Sequence, residues 1–460
     1  MTKKQIATNN IGRVFVQKQT DMLGCCPTYY NATGVSGLSQ NREAAIRIQA
    51  PSDTNSGQYD LRQKIPGQLE FVTFDLTGYV GLDGISPLRE IFQENCDAIV
   101  HIHYGQCNNP SDFRNFEKAL VFDGVSFTSY TTDNLIALDS SGKAAIIETA
   151  SAEADRMYEY FSEKKFSLVG ATNSTTPIDI HLINSGCNLC VFCADCSKLD
   201  CSQDFYSIPQ DDAMVLSFND GIYVYTIEEA GLIKVWDYES ISSGILSCSI
   251  IHTIELDENE IVISASYNQS ANVLLVGTSD GNIYYYDVRL NQQSLSYSGQ
   301  NEISKITSNE HGYLFADSVG QIFYSSDAEF WDAPTTTGAG TVQALHLYSE
   351  KSWIVSVTSG LIYYTNDSGL NYLTKKYRSV ANEYIKQFAQ SNRSILHAIS
   401  DTRYHQTFDG GCNWNAIDLN KYFSEIYSME VCPTNPFIVY LAGLNVAGDN
   451  NYIIKINFGA

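Results

Sequence analysis

One kind of turn recurs along the second half of this chain, and its spacing limits the fold more than any other feature. The stretch IYYTNDSGLNY holds Thr365-x-Asp367-x-Gly369-x-x-Tyr372, and YHQTFDGGCNW holds Thr407-x-Asp409-x-Gly411-x-x-Trp414. A degenerate copy, IFYSSDAEFWD, offers Ser325 and Asp327, with Glu329 where the glycine stood and Trp331 one place early. These aspartates are 40 and 42 residues apart. Asp287 stands 40 before Asp327, Asp237 a further 50 before that, and Asp449 follows Asp409 by 40. Each turn follows an aromatic or β-branched run such as GNIYYYD or GLIYYTN, and each run follows a strand ending in a glycine turn, such as NVLLVGTSDG or WIVSVTSG. A hairpin repeating at that interval is the signature of a four-stranded β-propeller blade.

The residue types fit a staple. Asp and Thr side chains accept or share hydrogen bonds with nearby backbone N–H groups and close a hairpin locally. Gly369 and Gly411 tolerate a positive φ that a Cβ resists, and the aromatic that follows covers a neighbouring strand. Such residues are expected to hold strands together rather than to catalyse.

The pattern S/T-x-D-x-G-x-x-W/F resembles the Asp-box, or BNR, repeat of sialidases, sortilin-type receptors and photosystem assembly factors, over roughly residues 205–460. Tyr372 departs from the usual Trp or Phe, and the runs around Asp237 and Asp287 are closer to WD-type strands. The resemblance implies a six- or seven-bladed propeller over residues 169–460. It does not carry an activity, because the repeat decorates unrelated functions. A sialidase would need three arginines for a carboxylate, yet beyond residue 205 only Arg289, Arg378, Arg393 and Arg403 occur, none in the expected early-blade position. No G-x-S-x-G, Walker, dinucleotide-binding or H-E-x-x-H pattern occurs either, and no enzymatic activity is expected. His101 and His103 in HIHYGQC share a strand face and, with Cys107, have the look of metal ligands. With eight histidines scattered through the chain, a chance pairing on one strand face is the plainer explanation.

Residues 1–66 are rich in Asn, Gln, Ser, Thr and Gly, and read as an extended polar arm. From residue 67 to 168 the pattern is that of a compact α+β domain. LEFVTFDLTGYVGL alternates as a strand, and SPLREIFQENC starts a helix with Ser86 at the N-cap and Pro87 at its first position. DAIVHIHYG reads as a buried strand, and KALVFDGVSFTSYTTDN as a hairpin-like pair around Asp123-Gly124. AAIIETASAEADRMYEYF has helical spacing at Ile147, Ala150, Ala154, Met157 and Phe161, with a long strand as the alternative. This segment resembles the tube-type and ring-type structural proteins of tailed bacteriophages. That resemblance implies a virion protein whose N-terminal domain assembles into a ring or tube while the propeller projects outward for decoration or attachment. Its partners would be copies of itself, other virion proteins and a host surface glycan or protein.

Composition bears on partners. With 52 acidic against 28 basic residues the net charge is −24, which disfavours nucleic acid and anionic membranes. The opening MTKKQIATNNIGRVFVQ has no apolar stretch of about 7–15 residues, so no secretory signal is expected, and no run of about eighteen apolar residues marks a span. With the phage resemblance, this implies synthesis in a host cytoplasm and a place in the virion. Rival readings are a cytosolic propeller that clamps a partner complex and, less in keeping with the residues, a glycan-processing enzyme.

Five of the twelve cysteines crowd into INSGCNLCVFCADCSKLDC, with Cys187, Cys190, Cys193 and Cys196 three apart. On a straight strand such neighbours are about 10 Å apart on opposite faces, beyond disulfide reach. A curled segment would let all four wrap one zinc or an iron–sulfur cluster, although the last gap is short for the cluster pattern and no proline follows Cys196. Structural cysteines, free or oxidised, are the plainer alternative. Cys25, Cys26, Cys96, Cys107, Cys201, Cys248, Cys412 and Cys432 are further partners for oxidation.

Overall fold

The computed structural model describes residues 13–18, 26–30, 32–44, 68–81, 86–105, 113, 116–138, 144–172, 178–183, 188–193, 199–201, 205–209, 214–219, 223–237, 248–378, 383–391, 394–432 and 437–459. Among them the chain is mainly β, with one helix. It divides into two compact units: Met1–Gln19 with Cys26–Glu163 and Gly459–Ala460, and Thr20–Cys25 with Lys164–Phe458.

The first unit is built on Arg13–Lys18 (β1), Thr28–Tyr30 (β2), Ala32–Ala44 (β3), Gln68–Gly81 (β4), Pro87–Glu94 (α1), Ala98–Tyr104 (β5), Lys118–Leu138 (β6) and Ala144–Thr172 (β7). Antiparallel pairing gives the order β2–β1–β5–β6–β7–β4–β3, with the first part of β7 between β6 and β4. The α1 helix forms where Ser86 Oγ accepts from the backbone N–H of Leu88 and Arg89, and Asn95 ends it in the left-handed region at φ 50°. Leu88 and Ile91 then join a core of Val14, Val16, Phe74, Val100 and Phe122.

Three expectations are corrected in this unit. The stretch read as helical is strand β7, because Ala150, Ala152 and Ala154 are buried at period two. Small side chains suit that face, where Phe74 and Phe122 lie ring to ring at 4.4 Å. Asp123-Gly124 is no hairpin: Gly124, at φ 64°, falls where the register of β6 slips against β5, while pairing with β7 continues unbroken, so β6 runs on through it. Of the arm expected over residues 1–66, the described residues supply strands instead. Val14, Phe15 and Val16 are all buried between β2 and β5, and β3 pairs along β4. Pairing with a distant strand provides the core that this polar segment lacks locally.

The second unit begins with Ile178–Ile183 (β8), Asn188–Cys193 (β9), Leu199–Cys201 (β10) and Phe205–Pro209 (β11), where β9 is central between β8 and a parallel β11. Antiparallel four-stranded sheets then follow in chain order. The first two are Met214–Asn219, Tyr223–Glu228, Leu232–Asp237 and Cys248–Thr253 (β12–β15), and Val262–Asn268, Val273–Thr278, Asn282–Asp287 and Gln292–Ser298 (β16–β19). Next come Ile303–Asn309, Gly312–Asp317, Gln321–Ser325 and Thr335–Thr336 (β20–β23), and Val342–Ser349, Ser352–Val357, Leu361–Thr365 and Leu373–Arg378 (β24–β27). Gln387–Gln390, Leu396–Ile399, Arg403–Thr407 and Trp414–Asp418 (β28–β31) precede a last antiparallel set of Phe423–Val431, Ile438–Asn445 and Asn451–Gly459 (β32–β34).

The first strand of each sheet stands against the first strand of the next, and β32 stands against β8, so the row closes on itself. Polar side chains tie it. Asn268 Nδ2 donates to Asn309 O at 2.7 Å, Asn309 Nδ2 to Leu347 O at 2.6 Å, and Ile180 N to Ser428 Oγ at 3.4 Å. Apolar clusters fill the spaces between neighbouring sheets, as Phe218, Ile233, Leu274 and Tyr286 do between β12–β15 and β16–β19. The arrangement is propeller-like: each sheet buries its faces only against its neighbours.

Candidate functional site

In every four-stranded sheet, pairing in chain order puts the turn after the third strand at the same end as the turn after the first. The repeated motif occupies the third-strand turns. Thr407 Oγ1 donates to Asp409 Oδ1 at 2.7 Å and accepts from Gly411 N at 3.1 Å. Asp409 in turn accepts from Asn413, at Oδ1 from the backbone N–H (2.8 Å) and at Oδ2 from the side-chain amide (2.7 Å). Thr365, Asp367, Gly369 and Asn371 repeat that set within about 0.2 Å. At the degenerate copy Ser325 and Asp327 keep the core of it, and Ala328 has φ 64°, the left-handed conformation that Ser368 (58°) and Gly410 (60°) adopt at the same position. Asp287 caps the N–H groups of Arg289 and Leu290. The Asp327 carboxyl is held below the ordinary range by the N–H groups of Phe330 and Glu329, and Asp367 by the side chain and N–H of Asn371. In each of these turns the Oδ1 of the aspartate is turned onto its own hairpin, and Asp367 and Asp409 turn both oxygens inward, as a staple requires.

Asp449 departs from its expected register. It lies before β34, the third strand of the last sheet, and therefore at the opposite end from the other aspartates. There Asn445 Oδ1 accepts from the N–H groups of Gly448 and Asp449. The 40-residue interval hides this shift, because the last sheet is laid out differently along the chain.

Of the cysteine row, Cys187 and Cys196 lie outside the described residues. Cys190 and Cys193 stand on β9, of which the backbone alone is described. There Cys190 pairs with His181 and Tyr206, and Cys193 with Ile178 and Pro209. The strand is extended and paired on both edges between them, so the curl that would wrap one metal is not made over that interval. Among the described residues no group of three or more His, Cys, Asp or Glu is placed to hold a metal. Cys26, Cys412 and Cys432 are disulfide-bonded, and Cys96 is a free thiol.

His101 and His103 do share a face of β5, packed by Phe15, Phe113 and Phe116. Both are fully buried, and neither nitrogen of the His101 ring has a hydrogen-bond partner. Burial pushes them down to about 3 and about 2, with the neighbouring His101 and Arg13 adding to the effect on His103. They are neutral core residues.

A Ser–His–Glu constellation, not foreseen from the sequence, lies between β29 and β30. Ser400 Oγ donates to Glu383 Oε1 and lies 3.0 Å from His405 Nε2. It lacks what an active serine needs. Ser400 and His405 are both wholly buried, and burial holds His405 near 3, far from a base poised at neutral pH. The same device recurs where Glu260 accepts from Thr278, Asn282 and Tyr284. Each ties the approach to a first strand onto the second and third strands of its sheet. Arg403 is drawn to Glu383 and Asp418, both at 3.8 Å, on one sheet, while Arg289 belongs to another. The two do not converge on an anion.

No family model and no curated protein sequence matches the chain. Among solved structures it is similar to the WD40 repeats of RRP9, at 10% identity over 65% of this chain and 98% of that one, with a TM-score of 0.45. It is similar to U3-55K at 11% identity over 65% and 99%, TM-score 0.45. A chain of the mitotic checkpoint complex matches at 14% identity over 53% and 88%, TM-score 0.41. No helix among the described residues is long and apolar enough to cross a membrane, which says nothing of strands.

Proposed function

We propose that this chain is a non-enzymatic structural protein of a virus particle, in which the first unit assembles with copies of itself and the second, a seven-bladed propeller with Asp-box turns, is displayed to partners. The observation that carries the reading is the pairing of the first unit. Its sheet starts at β2 and ends at β3, and neither edge has a further partner among the described strands. Open edges of this kind invite pairing between chains, and repeated pairing of identical units generates rings or tubes. The likeness of residues 67–168 to phage tube and ring proteins points the same way. Supporting the non-enzymatic part, the buried carboxylates, hydroxyls and histidines of the second unit are consumed in bonds that hold its sheets.

Electron microscopy and sedimentation of the purified chain test this. Rings, tubes or association with virions are the expected result, and a chain that stays monomeric at high concentration sinks it. A second reading, a partner-clamping scaffold, is favoured by the exposed apolar residues on the propeller turns. It predicts a stable complex with another protein and no self-assembly.

A further inference from the structure

The third-strand turns of three successive sheets place a large apolar residue in the same position, three residues after the turn aspartate: Leu290, Phe330 and Leu370. They are 64%, 77% and 81% exposed. Singly, an exposed leucine needs no explanation. They stand at equivalent positions on neighbouring turns, with Leu295 and Leu373 exposed at 56% and 52% on the strands that follow, and so mark out a row of apolar positions along one end of the second unit.

Beneath Leu290 the row opens into a cleft of about 450 Å³ between the outer strand β19 and the Ser325–Asp327 turn of the next sheet. Leu290, Leu295, Tyr285, Asp287 and Glu329 line it, with glutamines and serines of β19. None of these lining residues carries a positive charge. Asp287 and Glu329 both lie close enough to add to burial in raising the Tyr285 hydroxyl, so their negative fields converge there. The nearby Arg289 is taken up elsewhere. With the Asn272 amide turned to satisfy its neighbours, its oxygen accepts from Arg289 at 2.8 Å within the same sheet. Among the described strands none lies beside the outer edge of β19, and the outer strand of the next sheet, β23, is only two residues long.

From these features we infer that the cleft is a docking site for an extended segment of a partner protein with alternating basic and apolar side chains. The segment adds along the free edge of β19, its apolar side chains rest on Leu290, Leu295 and Phe330, and a lysine or arginine enters between Asp287 and Glu329. Charge decides the class of partner: an acidic or neutral segment would leave two carboxylates facing an uncompensated field, whereas a cation removes it. The inference rests on the reading of the second unit as a partner-displaying propeller, and names the surface used.

The probe is a capped peptide of alternating Leu and Lys matched to the seven residues of β19, with a Ser/Lys peptide of equal charge as control. Titration of the full chain should show binding of the Leu/Lys peptide and about tenfold weaker binding of the control. Leu290→Ser and Glu329→Lys should each weaken the Leu/Lys peptide about tenfold with unchanged melting, because both residues are exposed. Equal binding of both peptides, equal binding by the variants, or no binding overturns the assignment. Self-assembly measured on the same samples keeps the two readings apart: a chain that still forms rings but ignores the peptide loses the cleft and keeps the proposed function.

Discussion

The hydroxyl of Tyr372 lies 2.9 Å from Thr335 Oγ1 and accepts from Trp353 Nε1 at 3.1 Å, which ties one turn motif to the outer strand of the sheet before it. Trp331 makes the equivalent tie one sheet earlier, donating to Ser296 Oγ at 3.1 Å. The tyrosine that departs from the usual Trp or Phe therefore does work its hydroxyl alone can do. Tyr372→Phe and Thr335→Val should each cost about 0.5–1.5 kcal/mol, and together little more than one of them. Denaturant unfolding of the single and double variants measures this; additive losses would show that the two groups do not interact.

The three turn aspartates should differ in worth by burial. Asp409 is wholly buried, Asp367 half-buried and Asp327 exposed. Asp409→Ala is expected to cost about 1–3 kcal/mol, and Asp327→Ala within about 0.5 kcal/mol. The Asp367 and Asp327 carboxyls are depressed in the folded state. Their contribution is therefore present above the unfolded value of about 3.9 and is lost as pH falls through the folded one. Melting the variants from pH 7 to pH 3 checks both the order and the sign.

Gly369 and Gly411 separate strain from crowding. Both have positive φ, 80° and 87°. A Cβ on Gly369 would come within 2.5 Å of Thr335 Oγ1, whereas at Gly411 nothing lies nearer than 3.8 Å. Gly411→Ala should cost about 1–2 kcal/mol from left-handed strain alone, and Gly369→Ala clearly more. Equal melting shifts would remove Thr335 from the account.

Acid should loosen both units through buried histidines. Burial holds His101 and His103 at about 3 and about 2 in the first unit. His397 and His405 sit at about 3 in the second, where Lys164 and Arg403 add to burial. Folded values lie below the unfolded value of about 6.5, so the unfolded chain binds more protons and stability falls as pH drops from about 6.5 towards 3. One such histidine accounts for about 2 kcal/mol by pH 5. His101→Leu leaves no partner orphaned, since its ring bonds to nothing, and should keep stability at pH 7 while flattening the acid slope. An unchanged slope would contradict the burial.

Removing residues 1–66 should unfold the first unit and spare the sheets from β12 to β31. The deletion takes away β1, whose Val14, Phe15 and Val16 are buried in the sheet, together with β2 and β3. Limited proteolysis would show digestion of residues 67–163 around a resistant core. A truncated chain that keeps both units intact would restore the arm.

Local pattern explains which elements were legible. Ser86-Pro87 announced α1 because a cap and a fixed φ act within one turn. The Thr–Asp–Gly turns were legible because their hydrogen bonds close within five residues. Strand β7 was not: its alanines satisfy helical and period-two spacing alike, and only the rings of Phe74 and Phe122 make a pleated small-residue face the better fit. Asp449 kept the interval but lost the register, since spacing alone does not reveal which strand of a sheet a turn follows.

By itself, then, the sequence determined the repeating sheet and the staple that closes each hairpin, because those depend on contacts a few residues apart. Tertiary structure alone decided that β1 belongs to the core of the first unit and that β32 meets β8 to close the row of first strands. It also decided that Ser400, His405 and Glu383 meet in a buried knot rather than an open site. The first two pairings join residues far apart in the chain, and the third depends on burial that only the neighbouring strands supply, so no local window contains what stabilises them.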